Sequence, residues 1–125
     1  MVDSDEGGEV KVLALIYGDE AGWESASEED RNGMLARYLA FGESANGKIV
    51  DGAQLAPTRT ATTVRVRNGE TIVSDGPFAE TKEQLGGFYL FEVDSVDEAA
   101  ELAAGIPGAA HGAVELRPAH QEDES

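Results

Sequence analysis

Four ionisable side chains, Asp75, Glu80, Lys82 and Glu83, crowd one short stretch of the chain. They lie in the run Val73-Ser-Asp-Gly-Pro-Phe-Ala-Glu-Thr-Lys-Glu-Gln-Leu-Gly-Gly87, beside a single aromatic anchor, Phe78. Carboxylates flanking an ammonium group shift one another's pKa values, and in a partly buried loop they can act as general acid and base. In that chemistry Asp75 or Glu80 moves a proton, while Lys82 or Arg59 orients a carboxylate or enolate. These are the catalytic candidates. Tyr17, Asp51, Arg59, Asp75 and Lys82 form the candidate ligand-binding set, with Tyr17 at the end of an apolar strand. The spacing also fits a plainer reading, which it favours by itself: Asp75 makes an Asx-turn, Phe78 plugs the core, and Glu80 to Glu83 form a solvated turn.

Other apparent motifs carry less. Gly42-Glu-Ser-Ala-Asn-Gly47-Lys48 matches a phosphate-binding loop, but Ile49 stands where Ser or Thr should hold magnesium. The run also leads out of a helix into a strand, so no helix N-terminus faces a phosphate. His111 and His120 are the only imidazoles, one in a Gly/Ala-rich loop and one in an acidic tail, and both read as surface residues. No His-x-x-x-His, no Cys and no Asp-rich calcium loop is present, so neither a metal centre nor a cofactor is expected. A Ser–His–acid triad using His111 lacks nucleophile-elbow spacing.

The elements that must position these residues follow from patterning. Residues 10–17 read as a strand apolar on both faces, ended by Gly18-Asp19-Glu20. Ser27 caps a helix reaching about Ser44, with Glu28, Glu29 and Asp30 in its first turn and Met34, Leu35, Tyr38, Leu39 and Gly42 as its buried face. Asn46-Gly47 closes it with a left-handed cap. Lys48 to Leu55 is a second strand, ended by Pro57. Thr62 to Arg67 alternates, with Val64 and Val66 on one face and Thr63, Arg65 and Arg67 on the other. Asn68-Gly69 turns it back into Glu70 to Ser74 as a hairpin. Gly87 to Val93 is a strand with Phe88 and Leu90 on one face and Tyr89, Phe91 and Val93 on the other. Ser95-Val-Asp-Glu98 is a capping box that opens a helix packing through Val96, Ala99, Ala100 and Ala103. Gly105 and Pro107 stop it, and Val114 to Arg117 is the last strand.

This order predicts an α+β, ferredoxin-like split β-α-β fold with a hairpin inserted before its third core strand. Two helices cover one face of such a sheet. The other face then exposes several of Leu13, Leu15, Tyr17, Tyr89, Phe91 and Val93, according to register. A patch of that size marks an interface or a ligand groove. Sheet-to-sheet homodimerisation is the expectation, against a monomer whose hairpin folds over the bare face.

Composition narrows the function classes. The chain has 125 residues, 25 acids against 9 bases, a formal net charge of -16 and no Cys. One domain, 10–118, lies between acidic tails at 1–9 and 119–125. Such charge repels nucleic-acid phosphates and anionic lipid. The longest apolar run, Val12 to Tyr17, falls far short of the ~20 residues a membrane span needs. The acidic N-terminus is unlike a signal peptide, and the lack of Cys fits a reducing cytoplasm. Only three bases are Lys, and this Lys-poor, acid-rich surface also suits a high-salt cytoplasm.

Five stretches carry a family resemblance: Leu15 to Glu20, Asp51 to Pro57, Ala61 to Val66, Asp75 to Tyr89 and Val114 to Pro118. Together they resemble the DGPF-domain proteins of the YCII-related superfamily over residues 10–118. The resemblance implies a dimeric α+β barrel. Some relatives are thought to be enzymes using a His on the first helix with a nearby Asp. Here the helix from Ser27 to Ser44 has no His, and Ile106-Pro107 replaces the Asp-Pro associated with the end of the second helix, so that chemistry does not transfer. Proteins of this kind are often encoded beside extracytoplasmic-function sigma factors. The resemblance thus leaves two functions open: a homodimer binding a small organic ligand, with weak acid/base activity, or a non-catalytic accessory to a sigma factor.

Overall fold

The computed structural model describes residues 9–120, so the tail acids at positions 3, 5, 6 and 122–124 lie outside the described residues. In chain order the elements are β1 (Val10–Gly18), α1 (Glu20–Glu24), α2 (Glu28–Ser44), β2 (Ile49–Gln54), β3 (Thr62–Arg67), β4 (Glu70–Asp75), β5 (Gln84–Val93), α3 (Val96–Ala103) and β6 (Ala113–Pro118). Single 3₁₀ turns occupy Thr58–Thr60 and Pro107–Ala110. Four strands form one sheet in the order β2-β5-β1-β6, every neighbour antiparallel. The strands β3 and β4 form a separate hairpin. This is an α+β arrangement compatible with a ferredoxin-like fold.

Register decides which apolar residues meet the helices. Val12, Ala14, Phe91 and Val93 are buried with Phe41 of α2, Ala99 and Ala103 of α3, and Ile106 beyond it. Burying a side chain such as Phe91 or Ile106 stabilises the fold by roughly 1.5–3 kcal/mol. Tyr89, Phe91 and Val93 therefore belong to the helix-covered face, and only Leu13, Leu15 and Tyr17 of the expected bare-face set remain on the other. The alternation within β5 is as expected, because Leu13 pairs with Leu90 and Leu15 with Phe88.

The helices depart from expectation in rotation more than in position. Ser27 caps α2, its Oγ accepting from the Asp30 N–H at 3.0 Å. Phe41 is the buried residue of α2, with Met34 and Tyr38 half-buried, whereas Leu35 is 47% and Leu39 71% exposed. The Phe41 ring packs on Tyr89 with centroids 5.4 Å apart and also lies against Gly105, so the leucines turn outward. In α3 the buried face is Ala99 and Ala103 with Leu102 beside them, while Val96 and Ala100 are exposed. After Gly18 the chain does more than turn. Asp19 caps the short α1, its carboxylate accepting from the Ala21 N–H at 3.1 Å.

The hairpin turn forms as its sequence dictates, with Asn68 and Gly69 at φ 53° and 77°. Its faces are less ordinary: Thr63 and Arg65 are half-buried, while Val64, Val66 and Val73 are about 60% exposed (59%, 59% and 61%). Val64 pairs with Val73, so the valines form one outward apolar patch.

The α3 capping box holds in altered form. The Glu98 N–H donates to Ser95 Oγ at 3.0 Å, and the Glu98 carboxylate accepts from the Asp94 N–H at 2.7 Å. Glu98 also takes the Lys48 ammonium, tying the start of β2 to α3. The Asp94 N–H first, and Lys48 second, hold the Glu98 carboxyl below its ordinary value. A depressed folded-state pKa contributes stability above the ordinary carboxylate range, which is lost as pH falls through the folded value. Glu98→Gln is therefore expected to be less stable than the parent at neutral pH. Urea unfolding at stepped pH should show the gap closing below the ordinary carboxylate range.

Candidate functional site

The helix-free face of the sheet is built in rows. Asp51 of β2, Leu90 of β5, Leu13 of β1 and Arg117 of β6 stand opposite one another across the strands. The next row is Ala53, Phe88, Leu15 and Glu115. Directly opposed residues share a face, so Leu13, Leu15, Phe88 and Leu90 form one apolar quartet at its centre. Polar pairs frame it: Lys11 lies 3.6 Å from Glu92, and Arg117 lies 2.7 Å from Glu115. Tyr17 lies beyond the second row, opposite Ala113. The Arg117 guanidinium is held above its ordinary value chiefly by the Glu115 bond, with Tyr17 also contributing. A phenol and a guanidinium thus border the apolar quartet, an arrangement suited to orienting the polar group of an organic molecule.

Beyond Tyr17 the end of the sheet is closed by a polar network that, Arg59 apart, no sequence motif singles out. The Glu20 N–H donates to Gln84 Oε1 at 3.0 Å, and the Glu20 carboxylate accepts from both the backbone N–H (3.0 Å) and the hydroxyl of Thr58. Gln84 Nε2 donates to the Thr81 carbonyl at 2.7 Å. Arg59 Nη1 lies 2.6 Å from Glu24. Arg31 donates to the Trp23 and Glu24 carbonyls, with its guanidinium 5.7 Å from the Trp23 ring centroid. Every one of these groups is taken by a partner. The network joins the exit of β1, the exit of β2 and the entry of β5, and positions the face rather than offering a reactive atom.

Of the candidate residues, Tyr17 and Asp51 share the helix-free face. Asp51 is exposed at its edge, with Oδ1 accepting from the Gly52 N–H at 2.8 Å. Arg59 sits at the sheet end, already ion-paired. Asp75, Glu80 and Lys82 are all exposed, and among the described residues their side chains form no ion pair or hydrogen bond. The loop is pinned at its start instead, where Thr63 Oγ1 donates to the Gly76 carbonyl at 2.7 Å and the Gly76 N–H donates to the Ala61 carbonyl at 2.7 Å. Phe78 does not plug the core, because it is 78% exposed. Among the described residues no group of three His, Asp or Glu side chains could hold a metal ion, and no helix is long and apolar enough to cross a membrane.

Residues 10–121 match the family model described as the YCII-related domain. The chain is also similar to an uncharacterized protein of Rhizobium meliloti (strain 1021), 43% identical over an alignment of 113 positions that covers 83% of this chain and 87% of that protein.

Proposed function

The chain belongs to the YCII-related domain family, and from that premise we propose that it acts as a homodimer, two sheets packed through their helix-free faces as an α+β barrel, holding a small organic ligand between them. The observation that carries this reading is the quartet Leu13, Leu15, Phe88 and Leu90 on the face opposite α2 and α3. An apolar patch framed by charged pairs has the anatomy of an interface, with a greasy centre and a polar rim. The hairpin supports it further, because Val64, Val66, Val73 and Phe78 are each more than half exposed and would be shielded by a second copy laid over them. In the dimer, Tyr17 and Arg117 face the ligand's polar group while Asp75, Glu80 and Lys82 approach from the loop. Enclosed against the ligand, a carboxylate and an ammonium group so placed could hand on a proton, which would permit weak acid/base chemistry.

Sedimentation at dilute concentration should give twice the 13.2 kDa chain mass. Leu15→Glu should give the single-chain mass with an unchanged far-ultraviolet spectrum, since a carboxylate set between Phe88 and Glu115 in an apolar interface goes unpaired. A parent protein that sediments as one chain ends the reading. The double variant Asp75→Ala/Lys82→Ala should remain dimeric while losing any small molecule that native mass spectrometry finds with the parent. If it unfolds instead, the loop is structural.

The outward valine face of the hairpin would equally suit a different protein partner, and the second reading is an accessory protein contacting an extracytoplasmic-function sigma factor. Acidic complementarity to a basic partner would make that association weaken with salt. A pull-down with the purified sigma factor at two ionic strengths separates the two.

A further inference from the structure

On the helix-covered side, away from the proposed dimer face, a groove of about 430 Å³ opens between α2 and the segment after α3. Arg37 and Phe41 line one wall, and Gly105, Ile106, Pro107 and His111 the other. The floor is apolar, made by the buried Phe41 and Ile106. The rim carries two nitrogen donors, the exposed Arg37 and His111.

Two observations give the groove a sign. Among the described residues the Arg37 guanidinium, like the Arg65 and Lys82 side chains, forms no ion pair or hydrogen bond, so its donors are not committed to a carboxylate as those of Lys11, Lys48, Arg59 and Arg117 are. Its helical neighbours three and four positions away are Gly33, Met34, Ala40 and Phe41, none of them acidic. The second observation is in the sequence of both walls. One residue in five of this chain is acidic (25 of 125), yet neither 31–42 nor 102–114 contains a single Asp or Glu. These two acid-free stretches, remote in sequence, supply every residue that lines the groove. The geometry is also held in place. The Gly108 N–H donates to the Tyr38 hydroxyl at 3.1 Å, pinning the Pro107–Ala110 turn to α2.

We propose that this groove binds a small amphipathic carboxylate, its anionic group taken by Arg37 and His111 and its apolar body laid on Phe41, Ile106 and Pro107. A guanidinium grips a carboxylate through two parallel charge-assisted hydrogen bonds, and an imidazole offers an N–H in either tautomer. The volume suits a compact organic acid. Clearing acids from the walls removes the local repulsion that a protein of net charge -16 would otherwise exert on an anion.

Benzoate and its neutral isostere benzamide are the probes, titrated into the full chain with amide and side-chain resonances followed by NMR. Benzoate should shift the Arg37 and His111 signals saturably and benzamide should not. Arg37→Ala should weaken benzoate about tenfold or more, with melting temperature unchanged. Arg37→Lys, which keeps the charge but loses the fork, should fall between. Absence of saturable shifts up to about 10 mM benzoate overturns the proposal. So does equal binding of benzamide, or benzoate binding that Arg37→Ala leaves intact. The groove is formed within one chain, so these outcomes do not depend on the dimer.

Discussion

Replacing Gly112 by alanine is expected to cost roughly 3 kcal/mol or more, or to prevent folding altogether. Gly112 leads into β6, and its N–H donates to the Gly108 carbonyl at 2.8 Å. A Cβ there would overlap the Tyr17 carbonyl oxygen and stand 3.1 Å from Gly18 Cα, so backbone would meet backbone. β1 cannot retreat, because β5 and β6 hold it from both sides. Two other glycines calibrate the result. At Gly108 the Cβ would meet the Tyr38 hydroxyl at 2.7 Å and Ile16 Cγ2 at 2.9 Å, ends of side chains that can give. At Gly18 it would meet nothing within 4 Å. Urea unfolding should rank the losses Gly112→Ala, then Gly108→Ala, then Gly18→Ala. A Gly112→Ala protein as stable as Gly18→Ala would mean that β6 does not enter the sheet where Ala113 pairs with Tyr17.

The features legible in the chain were those that local chemistry decides. Asn68-Gly69 must adopt positive φ, and the hairpin follows. Ser27 and Ser95 each accept the N–H three residues on, so both helix starts were readable to the residue. Rotation about a helix axis is not a local property. Leu35 and Leu39 looked like core, but Phe41 and Tyr38 are the rings that find partners, in Tyr89 and Gly108, residues about fifty to seventy positions away. The same limit applies to the hairpin. Alternation separated Val64 and Val66 from Thr63 and Arg65, but a period of two cannot say which side faces inward.

The candidate site divides along the same line. Tyr17 and Asp51 could be placed on one sheet face because strands β1 and β2 were recognisable and register did the rest. Asp75, Glu80 and Lys82 were chosen for their density in sequence, yet proximity along an exposed loop brings no side chains together, and none of the three has a partner among the described residues. Glu20, Thr58 and Gln84 converge from three separate segments, and nothing in their spacing signals it. Arg37 and His111 lie farther apart still. The one trace they left is negative: each lies in a stretch without carboxylates, 31–42 and 102–114, as the hairpin region 52–69 also does.

Stability should rise steeply with salt, by roughly 5 °C or more in melting temperature between low and molar KCl. The described residues 9–120 hold 19 acids against all nine bases, so even this body of the protein repels itself. Salt acts in two directions. It weakens the four ion pairs, but three of them have one partner at least half exposed, and such pairs contribute little. It also shortens the reach of the repulsion among the unpaired carboxylates to ~3 Å at 1 M, and here these are the majority. The second effect wins on numbers alone. A charge origin has its own signature: Glu70→Gln/Glu80→Gln, which removes two exposed acids without touching any ion pair, should raise the low-salt melting temperature and flatten the KCl dependence. A melting temperature that is flat or falling with KCl would show that the carboxylates are too far apart to strain the fold. The acidity would then be a matter of solubility and not of stability.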